Sequence, residues 1–435
     1  MNIKNNCIYI FFLLLLSQIN ISSQGKWERT ESPTDKSLRS VHFVDSLYGW
    51  AVGFSGIIIH TSDGGINWII QDGNTENDIT DVFFLNRNLG WASTIELFSA
   101  SGTRIIRTTN GGETWINSPH LEADLFINCI LFLDSLNGWM GGKPYPIVKT
   151  TDGGNSWDQA EIDSSTFWNH QVESIKFYNS NFGYASGGKL DCCGVTWWTT
   201  NGGDHWYVID TPFVAPEPIY KLHTYDSLNV LGVGGDFETT GFGVGMIRTS
   251  NGGATWEFEY IGMSGVAWDI DFRTDRNAWA ALGGEGKLIY SLDCGLTWTS
   301  VPTPENAIIF NLIFTDSLHG FGVGKDGAII KYKPQLVNNI ATNQELISNK
   351  FSLQQNYPNP FNPYTKIKYS ILEAGFIKLA VYNLLGEEVA LIVDTQQEAG
   401  NYEFDFNSEN LSNGIYLYTL ISPDFKAVRK MIVLH

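Results

Sequence analysis

TSDGGINW (Thr61–Trp68) is the stretch on which the fold turns, because the chain repeats it as TTNGGETW (Thr108–Trp115), TTDGGNSW (Thr150–Trp157), TTNGGDHW (Thr199–Trp206), TSNGGATW (Thr249–Trp256) and SLDCGLTW (Ser291–Trp298). The copies stand roughly 40–50 residues apart, the period of a propeller blade rather than of a helical solenoid. A second phrase precedes each copy. It reads SVHFVDSLYGWAVG from Ser40, DVFFLNRNLGWAS from Asp81, CILFLDSLNGWMGG from Cys129 and SIKFYNSNFGYASGG from Ser174. Fainter versions begin at Lys221 and Asp269, and NLIFTDSLHGFGVG begins at Asn311, so there are seven units.

Within a unit, Val41 and Phe43, then Trp50 and Val52, then Ile57 and Ile59 alternate with period two, which puts alternate side chains on one sheet face. Between these runs lie Asp-Ser-x-x-Gly, a Gly-containing turn and Asp-Gly-Gly. Each is a favourable reversal, because glycine accepts positive φ and an Asx side chain caps its own turn. The unit is therefore expected to be a four-stranded antiparallel blade with the repeated tryptophan on its outermost strand. The last unit stops at KDGAIIKY (Lys325–Tyr332) and has no tryptophan box. The segment GKWERTESP (Gly25–Pro33), with Trp27 where that tryptophan would stand, is expected to supply the missing strand and close the ring without an open edge. The predicted fold is all-β, a seven-bladed β-propeller over residues 24–333 followed by a small Ig-like β-sandwich.

The box resembles the Asp-box (BNR) repeat, Ser/Thr-x-Asp-x-Gly-x-Thr-Trp, of sialidases, sortilin and some glycosidases. The longer unit is similar to the seven-bladed photosystem II stability/assembly factor propellers and their non-photosynthetic relatives. The box is read as structural. Its acidic position is Asp63, Asp152 and Asp293, but Asn110, Asn201 and Asn251 in the other copies, so no charge is required there. What persists is a short acceptor that holds a tight turn, while Trp68, Trp115, Trp157, Trp206, Trp256 and Trp298 bury apolar surface between strands.

The first residues, MNIKNNCIYIFFLLLLSQINISS, join Lys4 to an apolar run from Cys7 to Leu16 and small residues at Ser22 and Ser23. This reads as a secretory signal peptide over residues 1–23, too short to span a membrane. A net charge of −19 without a Lys/Arg cluster disfavours nucleic acid and anionic membranes. No transmembrane segment is expected. Four cysteines remain after processing, in an oxidising destination. Blade topology places Cys129 at the start of an inner strand and Cys192 and Cys193 in a loop of the next blade on the same face. A bridge from Cys129 to Cys192 or Cys193, or a vicinal Cys192–Cys193 bridge, is expected, with Cys294 free in a box turn on the other face.

Residues 334–350 read as a polar linker. Beyond them, over residues 351–435, alternating runs predict roughly seven short strands and a small β-sandwich. This end resembles the C-terminal type A sorting domain of the type IX secretion system. The matching residues are Asn356 to Pro363 (NYPNPFNP), Val381 to Gly386 (VYNLLG), Leu411 to Tyr416 (LSNGIY), and the tail at Lys430 and Met431. The resemblance implies passage through the periplasm, handling by the type IX machinery and release or anchoring outside the cell.

Loops that join strands two to three, and one blade to the next, carry nearly all the irregularity: Ser93–Gly102, Lys189–Val195, Asp236–Gly243, Asp158–Glu173 and Val208–Tyr220. Irregular loops on a repetitive scaffold are where binding sits. At the channel entrance, equivalent positions just before each inner strand hold Arg39, Thr80, Asn128, Glu173, Tyr220, Trp268 and Phe310. This ring is the candidate ligand site, with aromatic platforms and one Arg–Glu pair. Enzymatic readings are weaker. The sialidase arginine triad and Phe-Arg-Ile-Pro segment are absent, and xyloglucanase-like hydrolases hold a carboxylate pair about 5–10 Å apart between two propellers. Asp81, Glu173, Asp269 and Asp271 are read as solvated carboxylates rather than as such a pair. His42, His170 and His223 are scattered without metal-ligand spacing, so no metal, cofactor or catalytic residue is expected. The resulting expectation is an exported, noncatalytic binding or scaffold module for glycan or protein. A secreted glycoside hydrolase is the competing reading.

Overall fold

The computed structural model describes residues 25–95, 103–117, 126–163, 170–190, 192–209, 214–235, 243–334, 352–356, 358–359, 361–371, 374–383, 387–408, 411–422 and 425–433. The expected signal peptide and the linker from residue 335 onward lie outside these residues, as do 96–102, 164–169, 210–213 and 236–242 of the irregular loops. The chain divides into two compact units, residues 1–337 and 338–435.

Seven sheets make up the described part of the first unit. In blade one the strands Leu38–Phe43, Gly49–Gly53, Ile58–Thr61 and Ile69–Gln71 lie in sequence order from inside to outside. Five further sheets repeat this meander, and blade four adds a fifth strand, Glu161–Ile162, parallel to His205–Ile209. Blade seven has three strands of its own, ending at Ile329–Lys333. Its fourth is Lys26–Thr30, paired antiparallel with Trp27 opposite Tyr332. The ring is closed by a strand from the other end of the propeller sequence.

The repeated aromatic residues fit together in one pattern. At three junctions the aromatic ring of the second strand stacks on the inner-strand phenylalanine of the next blade: Trp50 on Phe84 at 3.5 Å, Trp91 on Phe132 at 3.6 Å, and Phe321 on Phe43 at 3.8 Å across the closure. The box tryptophan of the same blade meets that phenylalanine edge-on, as with Phe84 and Trp115 at 5.7 Å or Phe177 and Trp206 at 5.8 Å. In blade seven Trp27 takes this place against Phe314 at 5.6 Å. Edge-on aromatic pairs are favourable beyond the area they bury, so the blades that carry them gain that contribution as well.

The box turns use Asp and Asn alike. Asp63 Oδ1 accepts from Thr61 Oγ1 and the Asn67 N–H, each at 2.9 Å. Asn110 Oδ1 accepts from Thr108 Oγ1 at 2.9 Å and the Thr114 N–H at 3.0 Å. Asp152, Asn201, Asn251 and Asp293 hold their turns through the same acceptor oxygen. In the last box Cys294 replaces the first glycine and adopts φ 62°, a conformation that side chains disfavour.

The second unit is a sandwich of a three-stranded sheet and a four-stranded sheet, with Glu388–Gln397, Gly375–Tyr382, Gly414–Ser422 and Phe425–Val433 adjacent in that order. Its core contains Ile367, Leu379, Val381, Tyr418, Leu420 and Met431. Asn356 is buried, donates its Nδ2 to Thr365 Oγ1 at 3.0 Å, and donates its N–H to Tyr418 Oη at 2.7 Å. Asn359 Oδ1 accepts from the Ile432 N–H at 2.8 Å. Asn359 thus holds the NYPNPFNP segment against the strand that carries the basic tail, while Asn356 anchors it to the two strands that hold Thr365 and Tyr418.

Candidate functional site

The inner strands do not run regularly to the channel mouth. In six blades the register with the second strand shifts by a residue, between Leu38 and Ser40, Ile79 and Asp81, Ile127 and Cys129, Val172 and Ser174, Ile219 and Lys221, and Ile309 and Asn311. The skipped residues are Arg39, Thr80, Asn128, Glu173, Tyr220 and Phe310. A β-bulge leaves its extra residue outside the ladder and re-aims the side chain. The expected placement of these residues just before the inner strands is therefore corrected: they lie within the strands, at bulges. Only Trp268 precedes its strand, Asp269–Phe272. In five of the six bulged blades a sequence signal exists in a glycine near the end of the second strand. A Cβ at Gly53, Gly142, Gly187, Gly234 or Gly324 would sit within about 2 Å of the carbonyl oxygen of Ser37, Phe126, Gln171, Pro218 or Ile308.

All seven ring residues line one cavity of about 290 Å³. Phe54, Tyr220, Trp268 and Phe310 form its aromatic side, and the Tyr220 and Trp268 rings are 4.7 Å apart and tilted by 39°. Arg39, Asn128 and Glu173 supply its polar side. Thr80 and Asn128 are partly committed to the scaffold. Thr80 Oγ1 donates to the Ile127 carbonyl at 2.9 Å and Asn128 Nδ2 to the Val172 carbonyl at 3.1 Å, each in the following blade.

Below this ring lies a second polar layer that sequence reading did not anticipate. At four junctions the residue after the ring position accepts an N–H from the inner strand of the next blade. Ile130 donates to Asp81 at 2.9 Å, Leu222 to Ser174 at 3.4 Å, Leu312 to Asp269 at 2.7 Å and Val41 to Asn311 at 2.8 Å. Asp271 in the layer below accepts from Phe314 at 2.7 Å. The expectation of solvated carboxylates is corrected for Asp269, which is 1% exposed; Asp81 and Asp271 are half-buried and also join blades, and Glu173 is half-buried at the cavity.

Burial dominates the electrostatics of the channel. It pushes Glu173 up to about 7, against Arg39 and a hydrogen bond from Gln171, and Asp271 up to about 6, against Lys176 and two N–H donors. Burial alone would also lower Lys221, but Asp269, 3.4 Å from its ammonium, and Asp81 together hold it above its ordinary value. Lys176 is lowered, by burial and by Lys221. His42 is lowered to about 4 and His223 to about 3, by burial and by Lys176, so both imidazoles are neutral at pH 7.

Because Glu173 holds its proton more tightly in the folded chain than the ordinary 4.5 of an unfolded carboxyl, it favours folding at low pH. That contribution is complete below about 4.5 and is lost as pH rises through about 7. His42 and His223 act in the opposite sense, since the unfolded chain protonates them first. Subtracting the urea-unfolding free energy of Glu173→Gln from that of the parent isolates the glutamate, and the difference should fall between pH 4.5 and 7.5. A flat or rising difference would show that the fold does not hold the Glu173 carboxyl protonated.

No disulfide joins the described cysteines. The expected bridge from Cys129 is not present: its thiol lies against the Gly141 carbonyl at 4.0 Å, within its own blade. Cys192 and Cys193 have sulfur atoms 2.8 Å apart, and Cys294 is a free thiol. His170, which looked isolated in sequence, presents its imidazole to Cys192 and Cys193, with the three donor atoms all within 4.8 Å of one another. It also lines a neighbouring cavity of about 500 Å³ that shares Glu173 and Tyr220 with the channel mouth.

Comparison with known proteins places this architecture. Residues 19–125 and 249–333 match the family model described as photosynthesis system II assembly factor YCF48, and residues 355–434 match the secretion system C-terminal sorting domain. The photosystem II assembly lipoprotein Ycf48 of a Synechococcus strain is 23% identical over 336 residues, covering 73% of this chain and 91% of the relative. A solved structure of YCF48 bound to D1 peptide superposes with a TM-score of 0.55 at 22% identity, covering 71% of this chain and 96% of that one. A GH74 enzyme of Niastella koreensis shares the fold with a TM-score of 0.55 at 11% identity, over 93% of this chain and 74% of its own. Its two matched regions make the chain a photosystem II stability/assembly-factor-like β-propeller joined to a type IX-type C-terminal sorting domain.

Proposed function

We propose that the chain is exported through its sorting domain and that the propeller acts outside the cell as a noncatalytic binding module. Its ligand is an extended segment of another protein, laid across the channel mouth with one residue or chain end inserted between Arg39 and the Tyr220–Trp268 pair. The observation that carries this reading is the convergence of seven non-repeated residues in one cavity, six of them re-aimed by bulges on an otherwise repetitive scaffold. A cavity of about 290 Å³ suits one or two residues rather than a long substrate. The similar YCF48 structure holds a peptide, which supports a protein ligand. The channel carboxylates Asp81, Asp269 and Asp271 favour a noncatalytic role, since each accepts a backbone N–H from the next blade. The tilted Tyr220–Trp268 pair also favours a second reading, a glycan stacked on an aromatic platform.

The test is a peptide display selection and a glycan array on the purified chain, with product analysis on the same polysaccharides. A selected peptide should bind Trp268→Ala about 10–100-fold more weakly than the parent, as for an aromatic anchor at the centre of an interface. Unchanged affinity in the folded Trp268→Ala chain would move the site elsewhere. Polysaccharide cleavage would replace binding with hydrolysis.

A further inference from the structure

We propose that His170, Cys192 and Cys193 form a binding site for one Zn²⁺ ion on the rim of the channel mouth. The three residues come together through blade four. Gln171 pairs with Gly188, Gly188 pairs with Gly194 and Lys189 pairs with Cys193, so His170 and the two cysteines stand at the same end of three adjacent strands. Gly188 makes this closeness possible: it has φ +142°, and a Cβ there would sit 2.1 Å from the Cys193 carbonyl oxygen.

The donor set is one imidazole nitrogen and two sulfurs, a combination that suits zinc and other thiophilic cations rather than hard ones. With Zn–S near about 2.3 Å and Zn–N near about 2.0 Å, tetrahedral geometry places the donors roughly 3.5–3.8 Å apart. The three donors already lie within 4.8 Å of each other, so binding requires the sulfurs to part by roughly 1 Å from 2.8 Å, a small side-chain rotation. Cys193 is fully buried while His170 and Cys192 are half-buried, so the protein would enclose the ion on most sides. The 500 Å³ cavity that His170 lines offers room for a water or a solute group as fourth ligand.

The competing use of these thiols is a vicinal disulfide. Neighbouring Cα atoms are held about 3.8 Å apart by a trans peptide, below the roughly 4.4–6.8 Å that disulfides ordinarily span. Closing that bridge strains the backbone. A shared cation needs no such closure, since each sulfur contributes to it separately.

The full chain, reduced with a phosphine, should take up one Zn²⁺ in competition with a chromophoric chelator. Co²⁺ in its place should give the near-ultraviolet sulfur-to-cobalt band that reports thiolate ligands. Cys192→Ser/Cys193→Ser should lose that band and bind Zn²⁺ about 100-fold more weakly or less, and His170→Gln should weaken binding about tenfold or more. Equal Zn²⁺ uptake by parent and double variant would overturn the proposal. So would a Co²⁺ spectrum of the parent without the sulfur band, which needs no variant to fold. An intact mass showing a Cys192–Cys193 disulfide that persists with reductant and Zn²⁺ would overturn it as well.

Discussion

Deleting residues 25–33 should lower the melting temperature of the propeller far more than deleting residues 351–435. The first deletion removes the outer strand of blade seven and exposes the ladder face of Ile329–Lys333 to water. It also removes Trp27, which is 8% exposed and meets Trp279 and Phe314 at 5.6 Å and Tyr332 at 5.5 Å. Replacing a buried tryptophan by alanine costs about 3–5 kcal/mol. At roughly 2 °C per kcal/mol for a domain of this size, Trp27→Ala alone should lower the melting temperature by roughly 6–10 °C. The strand deletion should exceed that, because the Gly25 N–H to Tyr332 Oη bond at 3.1 Å and the whole register from Lys26 to Thr30 go with it. Removing residues 351–435 takes away a unit with its own core and leaves the closure intact. Equal melting temperatures for the two truncations, followed by circular dichroism, would count against closure by this strand.

The second large effect is expected at Asp269. Its Oδ2 accepts from the Leu312 N–H and from Asn311 Nδ2, each at 2.7 Å, and its Oδ1 lies 3.4 Å from Lys221 Nζ. Asp269→Ala leaves a buried ammonium without its nearest carboxylate and two donors without an acceptor, so it should cost about 3–5 kcal/mol. Asp269→Asn keeps an oxygen for the Leu312 N–H and should cost less. The double variant Asp269→Asn/Lys221→Met should be more stable than the sum of the single losses, because the charge left unpaired in each single variant is absent from the double one. Strict additivity in urea unfolding would show that the pair does not act as a unit. The experiment also bears on the competing hydrolase reading, since a carboxylate committed to holding two blades together is poorly placed to exchange protons with a substrate.

Blade number, strand closure and the C-terminal sandwich were legible in the sequence because each rests on local chemistry. Asp-Gly-Gly and Asp-Ser-x-x-Gly dictate reversals wherever they occur, period-two alternation dictates strands, and a unit without its tryptophan box needs one supplied from elsewhere. The box reading followed from Asp and Asn standing in the same position, and both hold the turn through the same oxygen. The seven ring residues were found by equivalence of position, and they do face one cavity. Their conformation was not legible, since a bulge depends on how one strand registers against another, and its only local trace is a glycine that any turn would also explain.

The sequence by itself determined the repeat, the turn chemistry and the domain order, because these depend on residues within one hairpin of each other. Only the tertiary structure decided which polar residues share an environment. Asp81 and Ile130, Asp269 and Leu312, and His170 and Cys192 are brought together by ring closure, bulges and strand pairing over separations that no local pattern reports. In the low-dielectric channel those juxtapositions set which charges persist and which donors converge, because burial there penalises every charge that lacks a partner.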